Sequence, residues 1–183
     1  MNTPRLRIFA GPNGSGKSTL KSVINDNLLG VYINPDEIEK EIKQFDFLNF
    51  TYYQVEAKKD EILKFFNTHP LIKKANLEDE VIFLRFNENK LSFFEVEVNS
   101  YYASICADFI RQKLLQKCVS FTFETVMSSK DKISLLKKAQ QMGYKTYLYF
   151  ITTQDPIINI SRVKNRVILG GHDVPEHKIV DRY

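Results

Sequence analysis

Gly11-Pro12-Asn13-Gly14-Ser15-Gly16-Lys17-Ser18 fills every position of the pattern G-x-x-x-x-G-K-[ST], and Thr19 follows directly. The chemistry of such a stretch is anion binding. Its glycines let the backbone turn tightly, so that successive N–H groups converge on a phosphate. A helix beginning at the end of the loop adds partial positive charge. In this pattern Lys17 reaches the β- and γ-phosphates of a nucleotide, and the Ser18 hydroxyl holds Mg²⁺. The flanks agree: Leu6-Arg7-Ile8-Phe9-Ala10 reads as a strand and Thr19–Asn27 as a helix. Strand, glycine-rich loop and helix in that order are the context the pattern requires. Gly11 to Thr19 are therefore expected to bind ATP or GTP together with Mg²⁺, against the plainer reading of a glycine-rich turn before an ordinary helix.

Phosphoryl transfer also needs charge neutralisation and a group that takes the acceptor's proton. In a parallel sheet, ligands sit at the carboxyl ends of the strands. Asp36 follows the short apolar run Val31-Tyr32-Ile33-Asn34, and Glu124-Thr125 follow Cys118-Val119-Ser120-Phe121-Thr122-Phe123. Lys17, Asp36 and Glu124 are expected to face one crevice. Asp36 is the candidate base, although Asp also fills helix N-cap positions and would cap Glu37–Phe45. Glu124 at a buried strand end calls for a partner, because an unpaired buried carboxylate is costly. Substrate or water-bridged Mg²⁺ would supply one, with Thr125 adding a second hydrogen bond to substrate. Arg162 and Arg166 lie four apart on one helical face, and their forked donors suit a transferring phosphate. Lys164 beside them shows the alternative, a solvated charged face. Gly170-Gly171 supplies hinge-capable backbone for a closing lid, and His172 reads as a solvated loop residue.

These residues need elements to position them. Beyond Phe45, the segment from about Asp46 to Asn99 departs from α/β regularity. It contains a helix-like Tyr53–Phe66, the breaker Asn67-Thr68-His69-Pro70, and two β-rich runs, Val81–Phe86 and Leu91–Val98. With Asn87-Glu88-Asn89-Lys90 between them, the runs read as a hairpin with a four-residue turn. Helix spacing returns at Tyr101–Gln116. A further helix is capped by Ser128 or Ser129 and stopped by Gly143. Lys145–Ile151 is a strand, Asp155-Pro156 starts a helix to about Leu169, and Glu176–Tyr183 begins another. Alternating strands and helices predict a single α/β domain over 1–183, a parallel sheet with helices on both faces, interrupted by the inserted helix and hairpin at about 46–99.

The chain of 183 residues carries a net charge of +4, with lysines interspersed among acids. That balance neither requires nor excludes nucleic acid. Two cysteines, Cys106 and Cys118, and three histidines make no metal-ligand spacing, and the thiols are expected to be buried and free. No run is long enough to span a membrane and no signal-peptide pattern leads the chain, so a cytoplasmic location is expected.

Ala10–Thr19, Asn34-Pro35-Asp36-Glu37-Ile38, Phe121-Thr122-Phe123-Glu124-Thr125 and Gly143-Tyr144 together resemble the zeta-toxin family of P-loop kinases. Arg162-Val163, Arg166-Val167, Gly170-Gly171-His172-Asp173-Val174-Pro175 and Arg182-Tyr183 resemble its zeta-like branch, related to UDP-N-acetylglucosamine kinases. The likeness runs over residues 5 to about 45 and 100 to 183. It implies a P-loop kinase fold and ATP- or GTP-dependent, Mg²⁺-assisted phosphorylation of a hydroxyl. In the toxin members the acceptor is the 3′-hydroxyl of UDP-N-acetylglucosamine. Carried over by motif, Lys17 and Ser18 bind phosphates and Mg²⁺, Asp36 is the base, Glu124 and Thr125 hold the acceptor, and Arg162 and Arg166 neutralise the transferred phosphate. An antitoxin protein is the partner such a role would bring. This chain departs from the family in its longer 46–99 segment and in stopping at Tyr183, where the family continues through a helix and a strand. A truncated C-terminus or a sheet one strand shorter are the two expectations. Two other functions stay open: an NTP-binding or ATPase module that regulates a partner through the inserted hairpin, and a nucleic-acid-end kinase. The latter is disfavoured by the lack of a basic-aromatic patch.

Overall fold

A computed structural model describes residues 3–127, 131–171 and 173–183. Ser128 and Ser129, read above as a helix cap, and His172 lie outside the described residues. In chain order the first elements are β1 (Arg5–Ala10), α1 (Lys17–Val23), α2 (Asp26–Leu29), β2 (Val31–Ile33) and α3 (Pro35–Phe45). β3 (Phe47–Asn49) then leads through a 3₁₀ turn, Phe50–Tyr53, to α4 (Lys59–Thr68), α5 (Pro70–Lys74) and α6 (Glu78–Val81). β4 (Arg85–Asn87), β5 (Lys90–Ser92) and α7 (Ser100–Gln116) come next. The last are β6 (Phe121–Thr125), α8 (Asp131–Gln141), β7 (Lys145–Phe150), α9 (Pro156–Ile168) and α10 (Glu176–Val180). The chain divides into two compact units, Met1–Tyr32 with Cys118–Tyr183, and Ile33–Lys117.

The first unit is built on a sheet of order β2-β6-β1-β7, in which β1 runs parallel to both β6 and β7. Leu6, Ile8, Phe9 and Ala10 are all fully buried. That is the continuous apolar run expected of a central parallel strand, buried on both faces. The register sets Phe9 opposite Glu124 and Ala10 opposite Thr125, so β1 and β6 end side by side. At the other side β7 is an edge strand whose Leu148 and Phe150 are 52% and 57% exposed. α9 and α10 pack through Val163, Val174 and Ile179. The helix read over Thr19–Asn27 is in fact two. Ile24 is extended, and the Asn25 side chain accepts the Asn27 N–H at 3.0 Å to cap α2. Asparagine competes with helical hydrogen bonding in this way wherever it can cap instead.

In the second unit α3 packs on α7, over a core that includes Ile38, Ile42, Phe66, Tyr102, Ile105 and Ile110. The hairpin is present but narrower than the sequence suggests. Its turn is the two residues Glu88 and Asn89, both left-handed at φ 48° and 59°. Positive φ at both central residues is what a two-residue type I′ hairpin requires. Val81 is helical instead of extended, and β3 adds a third antiparallel strand in the order β3-β5-β4. α4 starts at Lys59, because the chain from Phe50 to Tyr53 forms the 3₁₀ turn and Gln54 turns left-handed after it. On α7, burial would raise the Asp108 carboxyl, but bonds from His69, Arg111 and Gln112 outweigh it and hold the group well below the usual carboxylate range. Cys106 is buried as expected, whereas Cys118 is exposed on the turn before β6. Among the described residues, no helix is long and apolar enough to cross a membrane.

Candidate active site

β1 delivers the chain to Gly11, and the end of β6 receives it: the Gly11 N–H donates to the Thr125 carbonyl at 3.3 Å. Two glycines are required by space as well as by backbone angle. At Gly11 (φ 146°) a Cβ would collide with the Ile151 carbonyl, and at Gly14 (φ 78°) with the Asn159 carbonyl. The loop is thus pressed against the end of β7 on one side and against α9 on the other. Asn159 is fully buried, and Thr153 donates to its side-chain oxygen. Two buried polar atoms here, Ser15 Oγ and Asn159 Nδ2, have no hydrogen-bond partner among the described residues. Buried polar groups are rarely left so, and a cradle of backbone with spare buried polar atoms fits a ligand rich in hydrogen-bonding oxygen.

Lys17 opens α1 and folds back over the loop, donating from Nζ to the Gly11 and Pro12 carbonyls at 2.9 Å each. Its ammonium is therefore held at the loop itself. Ser18, one residue on, donates from Oγ to Glu124 Oε2 at 3.2 Å. Glu124 is buried at 8% exposure, and its other oxygen, Oε1, accepts from the Tyr32 hydroxyl. The carboxylate is bracketed by two hydroxyls from different elements. The Tyr32 ring lies beneath the Lys21 ammonium, 4.1 Å from centroid to Nζ, and the Phe9 ring centroid lies 6.4 Å from its own. Hydroxyl plus carboxylate is a hard-oxygen donor set, the kind that suits Mg²⁺. Thr125 is bound into the framework: its Oγ1 accepts the Met127 N–H at 3.0 Å.

The arginines fall on the loop's outer rim. Arg162 donates to the Gly14 carbonyl at 3.3 Å, and Arg182 to the Asn13 side chain at 3.1 Å. Arg166 instead packs its side chain under Gly171, whose N–H donates to the Arg166 carbonyl at 2.9 Å. The Gly170-Gly171 pair thereby closes the C-terminus of α9. Thr19 is exposed on the first turn of α1.

Asp36 lies in the second unit and is exposed. It is not the helix cap. Asn34 holds that position, its side chain accepting the Asp36 N–H at 2.9 Å, with Pro35 as the first helical residue. The structure brings together Lys17, Ser18, Glu124, Thr125 and Arg162 around Gly11–Gly16. Sequence reasoning gave no role there to Tyr32, Lys21 or Asn159, and held Arg182 only as part of the family likeness. Within β2, Val31 and Ile33 are buried while Tyr32 is half-buried, an alternation the all-apolar run Val31-Tyr32-Ile33 does not show in sequence.

No known family model matches the chain. Over 175 residues it is 25% identical to an uncharacterized protein of Haemophilus influenzae, covering 96% of this chain and 89% of that protein. Among solved structures, a candidate kinase from Chloroflexus aurantiacus superposes with a TM-score of 0.54 at 13% identity, over 96% of this chain and 74% of the other. A chain of the Pnkp1/Rnl/Hen1 RNA repair complex superposes with a TM-score of 0.54 at 13% identity, over all of this chain and 43% of the other. At such identities the likeness is one of fold.

Proposed function

We propose that this chain is a P-loop kinase, which transfers the γ-phosphoryl group of ATP or GTP to a hydroxyl of a small molecule. The single observation that carries this is the constellation at the loop: Lys17 folded onto Gly11 and Pro12, and Ser18 on Glu124 at the adjoining strand end. Likeness of fold to a candidate kinase and to a chain of an RNA repair complex supports the reaction class. The resemblance to zeta toxins supports a nucleotide sugar such as UDP-N-acetylglucosamine as acceptor, and with it a toxin held by an antitoxin in the cytoplasm.

In this reading the loop N–H groups and Lys17 hold the β- and γ-phosphates, Ser18 and Glu124 would hold Mg²⁺, and Arg162 offsets charge on the transferred group, while Arg166 closes α9 behind it. Mg²⁺ supplies neutralisation of the phosphate oxygens when bound. The bond from Pγ to the β–γ bridging oxygen breaks as a bond from Pγ to the acceptor oxygen forms. The acceptor's proton passes to the Asp36 carboxylate, and the nucleoside diphosphate leaves. Thr125 and the Glu124 side of the site receive the acceptor.

A transfer screen over nucleotide sugars, nucleosides and oligonucleotides, read by mass spectrometry, tests the proposal. It should yield a product bearing one added phosphoryl group. Asp36→Ala should abolish that product while leaving nucleotide affinity within about twofold, because a base contributes to the transfer step and not to donor binding. Undiminished turnover in Asp36→Ala would sink the mechanism. Product on oligonucleotides alone would move the acceptor to nucleic-acid ends, the second reading, which the fold shared with the RNA repair complex chain favours.

A further inference from the structure

Tyr32 belongs to none of the motifs above, yet its hydroxyl reaches the carboxylate that shares the Ser18 hydroxyl. We infer that Tyr32 is a positioning residue for the metal side of this site: it fixes Glu124 so that the carboxylate and Ser18 present oxygen together to the divalent cation of a bound nucleotide. The inference rests on the nucleotide-binding reading and goes beyond it to the residue that sets metal affinity.

Three features carry it. Glu124 uses its two oxygens on two different hydroxyls, Ser18 on Oε2 and Tyr32 on Oε1. A carboxylate that accepts a hydrogen bond on each oxygen from a different element has its plane fixed. The serine hydroxyl is both donor and acceptor. It can keep its proton on Glu124 while a lone pair turns to a cation, so the Ser18–Glu124 bond survives loading. Tyr32 itself is immobilised by its ring, which lies under the Lys21 ammonium at 4.1 Å and beside Phe9. Cation–π contact and aromatic packing hold the phenol without using its hydroxyl. The hydroxyl donates to the carboxylate. Groups that orient a metal-binding residue from behind set metal affinity by about 10–100-fold when removed.

Tyr32→Phe isolates the hydroxyl, because it keeps the ring that packs on Phe9 and Lys21. The measurement is the affinity of the whole chain for ADP by titration calorimetry, with Mg²⁺ and with EDTA. In the wild type, Mg²⁺ should tighten ADP binding. In Tyr32→Phe the affinity without metal should stay within about twofold, while the Mg²⁺-dependent gain should fall about tenfold or more. Glu124→Gln should remove that gain as well. An Mg²⁺-dependent gain unchanged in Tyr32→Phe overturns the role of Tyr32 and leaves nucleotide binding standing. Equal loss with and without metal also overturns it, because that marks a general packing defect. Wild type that binds ADP with no Mg²⁺ effect refutes the metal side alone. Wild type that binds no nucleotide at all refutes the site and this inference together.

Discussion

Gly14 shows how little room the loop allows. Its φ of 78° is left-handed, and the Asn159 carbonyl stands where a Cβ would go. Gly14→Ala should therefore cost about 1–3 kcal/mol in strain alone, with further loss from displacing α9. A urea melt should show the destabilisation, and nucleotide affinity should fall with it; a variant as stable as wild type would mean that the loop is not pressed on α9. The glycine pattern was readable from spacing, because a loop pressed this closely on its neighbours leaves no room for a Cβ. Asn159, Tyr32 and Arg182 were not readable. Their contacts with the loop and with Glu124 join residues far apart in the chain, and nothing in the local pattern of a lone Asn, Tyr or Arg encodes the partner. Glu124 falls between. Its place at a strand end marked it as a group needing a partner, but that the partners are Ser18 and Tyr32 came only from the register of β6 beside β1.

At the scale of elements, α3 is what presents Asp36. Its start is set by Asn34 as cap and Pro35 as first helical residue. Proline prefers that first position, since its missing N–H would be unpaired there anyway. This moves the cap back to Asn34, and the Asn-Pro order could have revealed as much. Asn34→Ala should cost about 1 kcal/mol, and Asn34→Asp should retain most of it, as measured by chemical denaturation. No difference between the two variants would mean that the cap does not hold α3. Apolar runs also gave away β1 and β6, and periodicity α7, whose buried faces are long. It did worse between Phe47 and Ser92, where, apart from the ten-residue α4, elements of three to five residues alternate with turns and single residues such as Gln54 and Asn89 decide the path. Asn89 accepts from the Ala57 N–H and donates to Thr51 and the Val55 carbonyl. Such clamps act through tertiary contacts and leave no period in the sequence.

Over the whole molecule, the proposed donor residues Lys17, Ser18, Glu124 and Arg162 all belong to one compact unit, and the proposed base Asp36 to the other. Donor binding can therefore be tested without knowing the acceptor. The most direct measurement is calorimetric titration of ATP and of GTP, with Mg²⁺, into the wild type and Lys17→Ala. Saturable binding of at least one nucleotide at a single site is expected in the wild type. Removing the ammonium that the loop carbonyls hold should weaken it by about tenfold or more, because a charge-assisted contact of about 1.5–3 kcal/mol is lost. Absence of binding in the wild type, or the same affinity in both proteins, would contradict the account.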